Sequence, residues 1–223
     1  MNLKGAAPER FGWLASRLYR VWGEPTLAPT YRRVGAEVPI ESGRLLDVGC
    51  GPGRLARLLA AANPDLSVVG LDASPSMVRE ARRGPALPNL EFREGRVEDG
   101  AFENEFDFAL ALLSFHHWED PSGGFEAVHR ALTPGGRFWI YESDPEASDE
   151  EIRLDHAPLW GWLRMPPWLE RLLSRGHGFS QAEIASVVRP LVADTPFGEC
   201  VVEPRGSTWR IALQKASPGT GAV

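Results

Sequence analysis

The sequence predicts an α/β fold in which helices cover both faces of a mostly parallel β-sheet. From residue 44 to residue 141, short apolar runs alternate with stretches of helical periodicity, which is the pattern of successive β-α units. A glycine-rich turn joins the first apolar run to the first helix. The chain has 223 residues, 43% of them apolar, which is enough for one sizeable core.

Five apolar runs predict five successive strands. They are Arg44–Val48, Ser67–Asp72, Leu90–Arg93, Phe106–Leu113 and Arg137–Tyr141. Because strands and helices alternate regularly, the strands are expected to run parallel, with right-handed crossovers and with their carboxyl ends at one edge of the sheet.

Three amphipathic helices are predicted between these strands. The second has Ser74 as its N-cap and Pro75 in its first turn, and the third begins at Pro121 and stops before Thr133–Gly136. The side chains expected to face the core are Leu55, Leu58, Leu59, Ala62, Met77, Val78, Ala81, Phe125, Val128 and Leu132.

The rhythm changes after Glu142. Residues 143–178 form an insert that is acidic at first and then rich in tryptophan and proline. Ser180 and Glu183 predict a capping box for a helix that Pro190 ends. Two further runs, Glu199–Glu203 and Thr208–Gln214, predict a closing hairpin.

The glycine turn and one aspartate indicate a ligand that contains adenosine. The turn Gly49–Gly53 lets the backbone approach a ligand, and the following helix offers unpaired N–H groups at its positive end. Asp72 ends the second strand, where an acid can accept hydrogen bonds from both ribose hydroxyls. The alternative is a tight turn beside a helix-capping aspartate, and both readings stay open on the turn alone.

Two residues argue against a dinucleotide. A dinucleotide turn has its third glycine at the position that Arg54 occupies. Asp47 lies just inside the turn, where its charge opposes a pyrophosphate but suits a methionine moiety, which carries an ammonium group. A nicotinamide-dependent oxidoreductase is further disfavoured because the chain has no Tyr-x-x-x-Lys pair.

These residues resemble the class I S-adenosylmethionine-dependent methyltransferases, in particular the small-molecule type grouped with ubiquinone and sterol methyltransferases. The resemblance extends over about residues 44–141. The matching motifs are Leu45–Gly53, Val69–Ser74 with Met77, Phe106–Asp107 through Phe115–Trp118, and Arg130–Gly136.

The resemblance implies a Rossmann-like, seven-stranded, mostly parallel sheet with an antiparallel last strand, helices on both faces and a helical insert after strand 5. Residues 41–215 are expected to form the methyltransferase domain, with the insert as a lid. From the residues themselves we expect N-terminal helices over residues 1–40 that cap the site and a flexible tail over residues 216–223.

The resemblance also implies S-adenosylmethionine as cofactor, with S-adenosylhomocysteine as its product, and a set of binding residues. Some would line the methionine end, Asp72 would hold the ribose, Ala73 and Met77 would flank the adenine, and others would lie at its edge or near the sulfonium. The full set is Asp47, Gly49, Cys50, Gly51, Asp72, Ala73, Met77, Val97, Glu98, Ala111 and Leu112. One position departs from the family, since Arg96 stands where an aspartate often reaches the adenine amino group.

Two further groups are candidates for the acceptor side. His117, with His116 beside it, follows the fourth strand and is the candidate base; the alternative is that the pair shapes the cofactor pocket. The candidate lid residues are Tyr19, Trp22, Tyr31, Trp160 and Trp162. Ordinary packing of the insert, or a contact in a homodimer, would explain the same aromatic residues.

Composition favours some partners over others. A net charge of −6 gives no basic face for nucleic acid, and no stretch approaches the ~20 apolar residues that span a bilayer. Cys50 and Cys200 are far apart, and His156 and His177 lack a ligand pattern, so we expect no metal and a reducing cytoplasm.

The sequence thus predicts methyl transfer from S-adenosylmethionine to a small-molecule acceptor. The alternative from another class is a non-catalytic S-adenosylmethionine-binding regulator or partner subunit, which Arg96 favours.

Overall fold

The structure is a computed structural model that describes residues 24–100, 102–158, 166, 168, 169, 171 and 177–217. Seven strands form one sheet. They are β1 Gly43–Val48, β2 Leu66–Asp72, β3 Leu90–Glu94, β4 Phe106–Leu112, β5 Leu132–Ser143, β6 Val201–Arg205 and β7 Thr208–Gln214. Their order is β3-β2-β1-β4-β5-β7-β6.

Helices cover both faces of this sheet. They are α1 Ala28–Glu37, α2 Arg54–Ala62, α3 Pro75–Arg82, α4 Pro121–Ala131 and α5 Asp149–Asp155, with a continuous helical stretch, α6, through Gln181–Glu183, Ile184–Val188 and Arg189–Ala193. Short 3-10 turns lie at Val97–Asp99 and Phe115–His117.

Strand direction agrees with the prediction. Strands β1 to β5 pair in parallel, and β7 runs antiparallel between β5 and β6. Strands β2 and β3 lie on one side of β1, in chain order, and β4 lies on the other side of β1. This reversal opens a crevice at the carboxyl ends of β1 and β4, which is where open α/β sheets bind ligands.

The core face of α2 differs from the prediction. Leu55 and Leu59 are buried as expected, but Leu58 is only half-buried and Ala62 is exposed. Two small residues, Ala56 and Ala60, take the inner positions and let the helix lie close to the sheet. Leu58 instead meets α1, where Gly35 leaves room for its side chain.

One predicted boundary, between α4 and β5, and the capping contact of Ser74 are also corrected. Leu132 begins β5 rather than continuing α4, and the residues from Thr133 to Gly136 lie within the strand, beside a register shift opposite Phe106–Phe108. Ser74 occupies the N-cap position of α3, but its hydroxyl bonds Ser76 Oγ at 2.9 Å and not the helix backbone.

Pro190 does not end its helix. The capping box of Ser180 and Glu183 forms as predicted, and α6 then continues to Ala193. Residues Ile184–Val188 adopt π-type bonding, in which the Arg189 N–H donates to the carbonyl of Ile184. The wider turn accommodates the proline, which has no N–H to donate and whose ring would clash in a regular α-helix.

The two faces of the sheet bury separate clusters. Phe115, Phe125, Phe138 and Phe179 lie in the cluster on one face, which α4 and α6 cover. Leu45, Leu59, Phe108 and Tyr141 are among those on the other face, covered by α1, α2 and α3. The strands buried between them are apolar on both sides, as expected for parallel sheets.

Asp155 joins three parts of the chain. Its carboxylate accepts from Arg33 Nε and Nη2, both at 2.9 Å, and from the N–H and hydroxyl of Ser207 at 2.7 and 2.9 Å. Thr30 donates to its carbonyl at 2.8 Å. This buried residue therefore holds α1, the last turn of α5 and the β6–β7 turn together.

We expect Asp155→Asn to lower the free energy of unfolding by about 2–3 kcal/mol. Asparagine removes the buried countercharge of Arg33, which keeps Glu37 at 3.3 Å, and it places an amide N–H group among other donors. Thermal and denaturant unfolding measure the change. Glu91→Gln is the control, since Glu91 pairs with Arg93 on an exposed surface and should cost less than about 0.5 kcal/mol. Equal stability of the Asp155 variant and the control would contradict the role of this contact.

Candidate active site

The glycine turn Gly49–Gly53 lies at the carboxyl edge of the sheet, between β1 and α2. The N–H groups of Gly49 and Cys50 donate to the Leu71 carbonyl at 2.8 and 3.0 Å, which fastens the turn to the end of β2. On its other side, Ser114 after β4 donates to the Val48 carbonyl at 2.8 Å. The ends of β1, β2 and β4 thus meet around the turn.

The three glycines of the turn serve different purposes. All have positive φ, at 71° for Gly49, 54° for Gly51 and 80° for Gly53. A Cβ on Gly49 would collide with Ser114, and one on Gly53 with the Phe92 ring. A Cβ on Gly51 would meet no atom of the described residues within 4 Å, so this part of the turn leaves room for a ligand.

Asp72 shapes the turn as well as facing the crevice. Its two carboxylate oxygens accept from the Gly51 N–H at 2.8 Å and from the Ser74 N–H at 2.9 Å. Burial raises the pKa of this carboxyl, and these two backbone bonds oppose the rise. Each oxygen keeps a second lone pair, so the acid can also accept from a sugar hydroxyl.

Asp47 is a buried carboxylate at the N-terminus of α2. Its side chain is almost inaccessible, and its Oδ2 has no hydrogen-bond partner among the described residues. Burial and the nearby charge of Asp72 raise its pKa to about 7, while a backbone bond from Ala56 acts in the opposite sense. An unpaired acceptor in this position fits the ammonium group of an amino acid.

The residues predicted around the adenine lie along the same edge. Met77 and Val97 are buried, and Ala73 and Glu98 are partly exposed. Ala111 and Leu112 end β4, followed by Leu113 with a φ of 53°. The fold thus brings the predicted cofactor residues from four separate segments to one edge of the sheet.

Arg96, the departure from the family pattern, is engaged in ion pairs. Its guanidinium lies 2.8 Å from the carboxylate of Glu119 and 3.7 Å from that of Glu98. Its backbone N–H donates to Asp99 across the 3-10 turn. The loop after β3 is therefore joined to the loop after Trp118, and Glu98 faces a cation at this position.

Three histidines and a glutamate form a group that we call the histidine cluster: His116, His117, His177 and Glu142. His116 Nδ1 lies 2.7 Å from Glu142 Oε2, and the His116 N–H donates to Oε1 at 3.2 Å. The ring centroid of His117 lies 4.0 Å from that of His116, and the ring of His177 lies 5.4 and 6.2 Å from these two.

Burial and the two neighbouring imidazoles lower the pKa of His117 to about 4. Sequence reasoning identified the histidine pair but missed Glu142, and it did not place the exposed His177 beside the pair. Glu142 could have been found from its position, because it follows the apolar run of β5 and therefore lies at the same edge.

The candidate lid is mostly outside the described residues. Tyr19, Trp22, Trp160 and Trp162 all fall there. Tyr31 is described: it is buried among the residues of α2, with the Arg54 guanidinium 5.9 Å from its ring centroid.

Within the described residues, no group of three or more His, Cys, Asp or Glu side chains is arranged to hold a metal ion. In the same part of the chain, none of the helices combines the length and the apolar character needed to cross a bilayer.

Part of the chain matches a known protein family. Residues 46–140 match the family described as a methyltransferase domain. This stretch contains β1 to β4 and most of β5, and with them the glycine turn, Asp72 and the histidine pair. The candidate site therefore lies in the part of the chain that is similar to this methyltransferase family.

Curated relatives include methyltransferases with different acceptors. The chain is 31% identical over 128 residues to phthiotriol/phenolphthiotriol dimycocerosates methyltransferase of Mycobacterium leprae, over 57% of this chain and 47% of that protein. It is 52% identical over 102 residues to trans-aconitate 2-methyltransferase of Methylobacterium radiotolerans, over 45% of this chain and 38% of that protein. The matched part thus spans about half the length of these relatives or less.

Solved structures share the architecture over nearly the whole chain. A protein assigned as an S-adenosyl-L-methionine-dependent methyltransferase of Methanococcus maripaludis superposes with a TM-score of 0.71 at 19% identity, over 97% of this chain and 99% of that one. Human N-acetylserotonin methyltransferase in complex with SAM gives a TM-score of 0.61 at 20% identity, over 96% of this chain and 61% of that one. At these identities the likeness shows the fold alone.

We expect Asp47→Asn to stabilise the ligand-free protein in a pH-dependent manner. Because the folded-state pKa is raised from 3.8 to about 7, ionisation of Asp47 costs stability above pH 4, and the full cost, roughly 4 kcal/mol, applies above pH 7. Asparagine is neutral throughout, so the variant should exceed the wild type in free energy of unfolding at pH 8.5. That advantage should shrink as the pH falls through 7 toward 5.

Denaturant unfolding at both pH values measures this difference. Asp65→Asn, at an exposed acid before β2, controls for the loss of one negative charge. An Asp47 variant no more stable than the wild type at pH 8.5 would show that the carboxyl is not strained by burial.

Proposed function

We propose that this protein transfers the methyl group of S-adenosylmethionine to a small-molecule acceptor. The observation that carries the proposal is the open backbone at Gly51 together with the buried carboxylate of Asp47, whose Oδ2 has no hydrogen-bond partner in the described part of the chain. The match of residues 46–140 to the methyltransferase family supports it independently. Closer kinship with the ubiquinone and sterol enzymes belongs to the same proposal.

The residues of the crevice suit each part of the cofactor. Asp47 would face the ammonium group, with Gly49, Cys50 and Gly51 beside the methionine moiety, and Asp72 would accept from the ribose. Ala73, Met77, Val97 and Glu98 would surround the adenine, and Ala111 with Leu112 would lie near the sulfur. When bound, S-adenosylmethionine supplies an electrophilic methyl group on its sulfonium.

The protein's own contribution to such a transfer is mainly one of position. The N–H groups of the turn donate to the Leu71 carbonyl and to the Asp72 carboxylate, so the geometry of the turn is set before a ligand binds. A rigid site that aligns donor and acceptor within about 3–3.5 Å supplies much of the rate enhancement available to a displacement reaction. His117, partly exposed beside this edge, is proposed to contact the acceptor.

The acceptor is proposed to be a small metabolite. Relatives are named for trans-aconitate and for dimycocerosate lipids, both small molecules rather than macromolecules. A net charge of −6 argues against nucleic acid as the acceptor. We also propose a cytoplasmic location, which the free thiols of Cys50 and Cys200 support, and assembly as a homodimer.

A second candidate function is a non-catalytic subunit that binds S-adenosylmethionine. The ion pairs of Arg96 favour it, because Glu98 lies 3.7 Å from a guanidinium at the place where the adenine amino group would need an acceptor. Turnover of S-adenosylmethionine with any acceptor would exclude this candidate.

The proposal predicts that Gly51→Ala abolishes binding of S-adenosylhomocysteine while the protein stays folded. The new methyl group meets no atom of the described residues within 4 Å, so it would occupy space that the ligand needs. Its cost to stability should be about 1–2 kcal/mol, the cost of a positive φ for alanine. Calorimetric titration with S-adenosylhomocysteine measures the binding.

Gly198→Ala is the matched control. Gly198 also has a positive φ, 72°, and its Cβ also meets nothing within 4 Å, but it lies in the loop before β6 and not in the glycine turn. The two variants should lose similar stability, and only the Gly51 variant should lose binding. If folded wild-type protein gives no heat with S-adenosylhomocysteine, the proposed function is wrong.

A further inference from the structure

Glu142 is a fully buried carboxylate at the carboxyl end of β5. Both of its oxygens bond to the same residue, one to the backbone N–H of His116 and the other to Nδ1 of its ring. A buried carboxylate is stable only if hydrogen bonds or a positive charge compensate it. The pair is therefore a matched acid and base rather than two independent side chains.

The pair lies beside the proposed cofactor site. The 3-10 turn Phe115–His117 follows β4, and Tyr141 pairs with Leu112 across the two parallel strands. Ser114, two residues before His116, limits the space at Gly49 in the glycine turn. The topology thus places this imidazole at the edge where the acceptor must meet the methyl group.

The contact with Glu142 determines how His116 can exchange protons. When Nδ1 donates to a carboxylate, the neutral ring has its lone pair on Nε2, and a proton added there gives a cation beside an anion. Carboxylates orient and support catalytic histidines in this way in hydrolytic triads. The His116 side chain is only 4% exposed, so little bulk water competes for this proton.

His117 is less suited to hold a proton. Its pKa is lowered to about 4 by burial and by the imidazoles of His116 and His177, so its cationic form is disfavoured at neutral pH. The groups that face His116 are Glu142 from β5, His117 from its own turn and His177 from the segment before α6. Among these groups only Glu142 is a carboxylate that can balance an added positive charge.

We propose that His116 is the catalytic base of the methyl transfer and that Glu142 is its positioning residue, so that the acceptor atom is a hydroxyl oxygen that loses its proton. The proposal rests on the proposed function above. As the bond between this oxygen and the methyl carbon forms, the bond from that carbon to sulfur breaks and its electron pair stays on sulfur. The hydroxyl proton passes to Nε2 of His116.

This assignment favours one class of acceptor. Alcohols and phenols are protonated at neutral pH and must lose a proton on methylation, so a base of this kind accelerates their reaction. Carboxylates are already ionised at that pH and gain nothing from it. The proposed substrates are therefore hydroxyl compounds rather than acids.

The first test measures the ring tautomer and needs no acceptor. Nitrogen-15 NMR of the full chain with labelled histidine, saturated with S-adenosylhomocysteine, should show the neutral His116 ring protonated on Nδ1. A neutral ring protonated on Nε2 would overturn the proposal. Binding of S-adenosylhomocysteine is checked separately by calorimetry, so failure of the cofactor site is distinguished from failure of this pair.

The second test measures turnover against two probe acceptors of similar size, a long-chain phenol and a long-chain fatty acid. Glu142→Gln keeps an acceptor oxygen for Nδ1 but removes the charge, and it should lower kcat for the phenol by 10-fold or more with little change in KM. His116→Gln should lower it by about 100-fold or more. The pH profile of kcat should lose its acidic limb in the His116 variant.

His129→Gln is the control, because His129 lies on α4 against Phe197 and away from the cluster. His117→Gln should retain the acidic limb that the His116 variant loses. Turnover of the fatty acid but not the phenol by the wild type, or full phenol turnover by Glu142→Gln, would overturn the assignment. If Glu142→Gln is unfolded by circular dichroism, His116→Gln with the tautomer measurement decides it.

Discussion

The site depends on the attachment of the glycine turn to the end of β2. The Leu71 carbonyl accepts from two N–H groups of the turn, and the Asp72 carboxylate accepts from a third. The main chain at the end of β2 thereby sets the position of the loop after β1. The same aspartate has lone pairs left for a ligand, so the residue that would bind the sugar also builds the cradle beside it.

Two aspartates at this edge differ in how hydrogen bonds compensate their buried charge. Asp72 is compensated by backbone donors, whereas Asp47 keeps an unpaired oxygen and a raised pKa. Such a strained group is expected at a binding site, since the protein gives up stability that a cationic ligand can restore. Glu142 in the histidine cluster is a third case, because both of its carboxylate oxygens are hydrogen-bonded by one residue, His116.

Local patterns were sufficient for much of the fold. The alternation of apolar runs, the glycine turn and the closing hairpin are encoded by residues close together in the chain. All strands except β5, which begins at Leu132 instead of Arg137, begin and end near their predicted bounds. The inner face of α2 was mispredicted because Leu58 packs on α1, a contact that no local periodicity contains. Pro190 was mistaken for a helix end because the sequence does not reveal the π-type turn before it.

The residues that sequence reasoning missed are those that topology alone brings together. Glu142 is 26 positions from His116, and only the parallel pairing of β4 and β5 makes them neighbours. The isolated β-bridge between Ser143 and Gly178 brings His177 close to His116, and no sequence motif indicates this bridge. The glycine turn, by contrast, was recognisable because its function requires a particular backbone within five consecutive residues.

The position of Asp155 limits how this architecture can diversify. The Asp155 carboxylate in α5 bonds both to Ser207, 52 positions later, and to Arg33 in α1, more than 120 positions earlier. A substitution in α5 that moves this carboxylate therefore affects both contacts. Three segments distant in the chain must therefore change in concert or not at all. Transplanting the segment after β5 from another protein would succeed only if its first helix brought a matching aspartate, or if the arginine and the serine were exchanged with it.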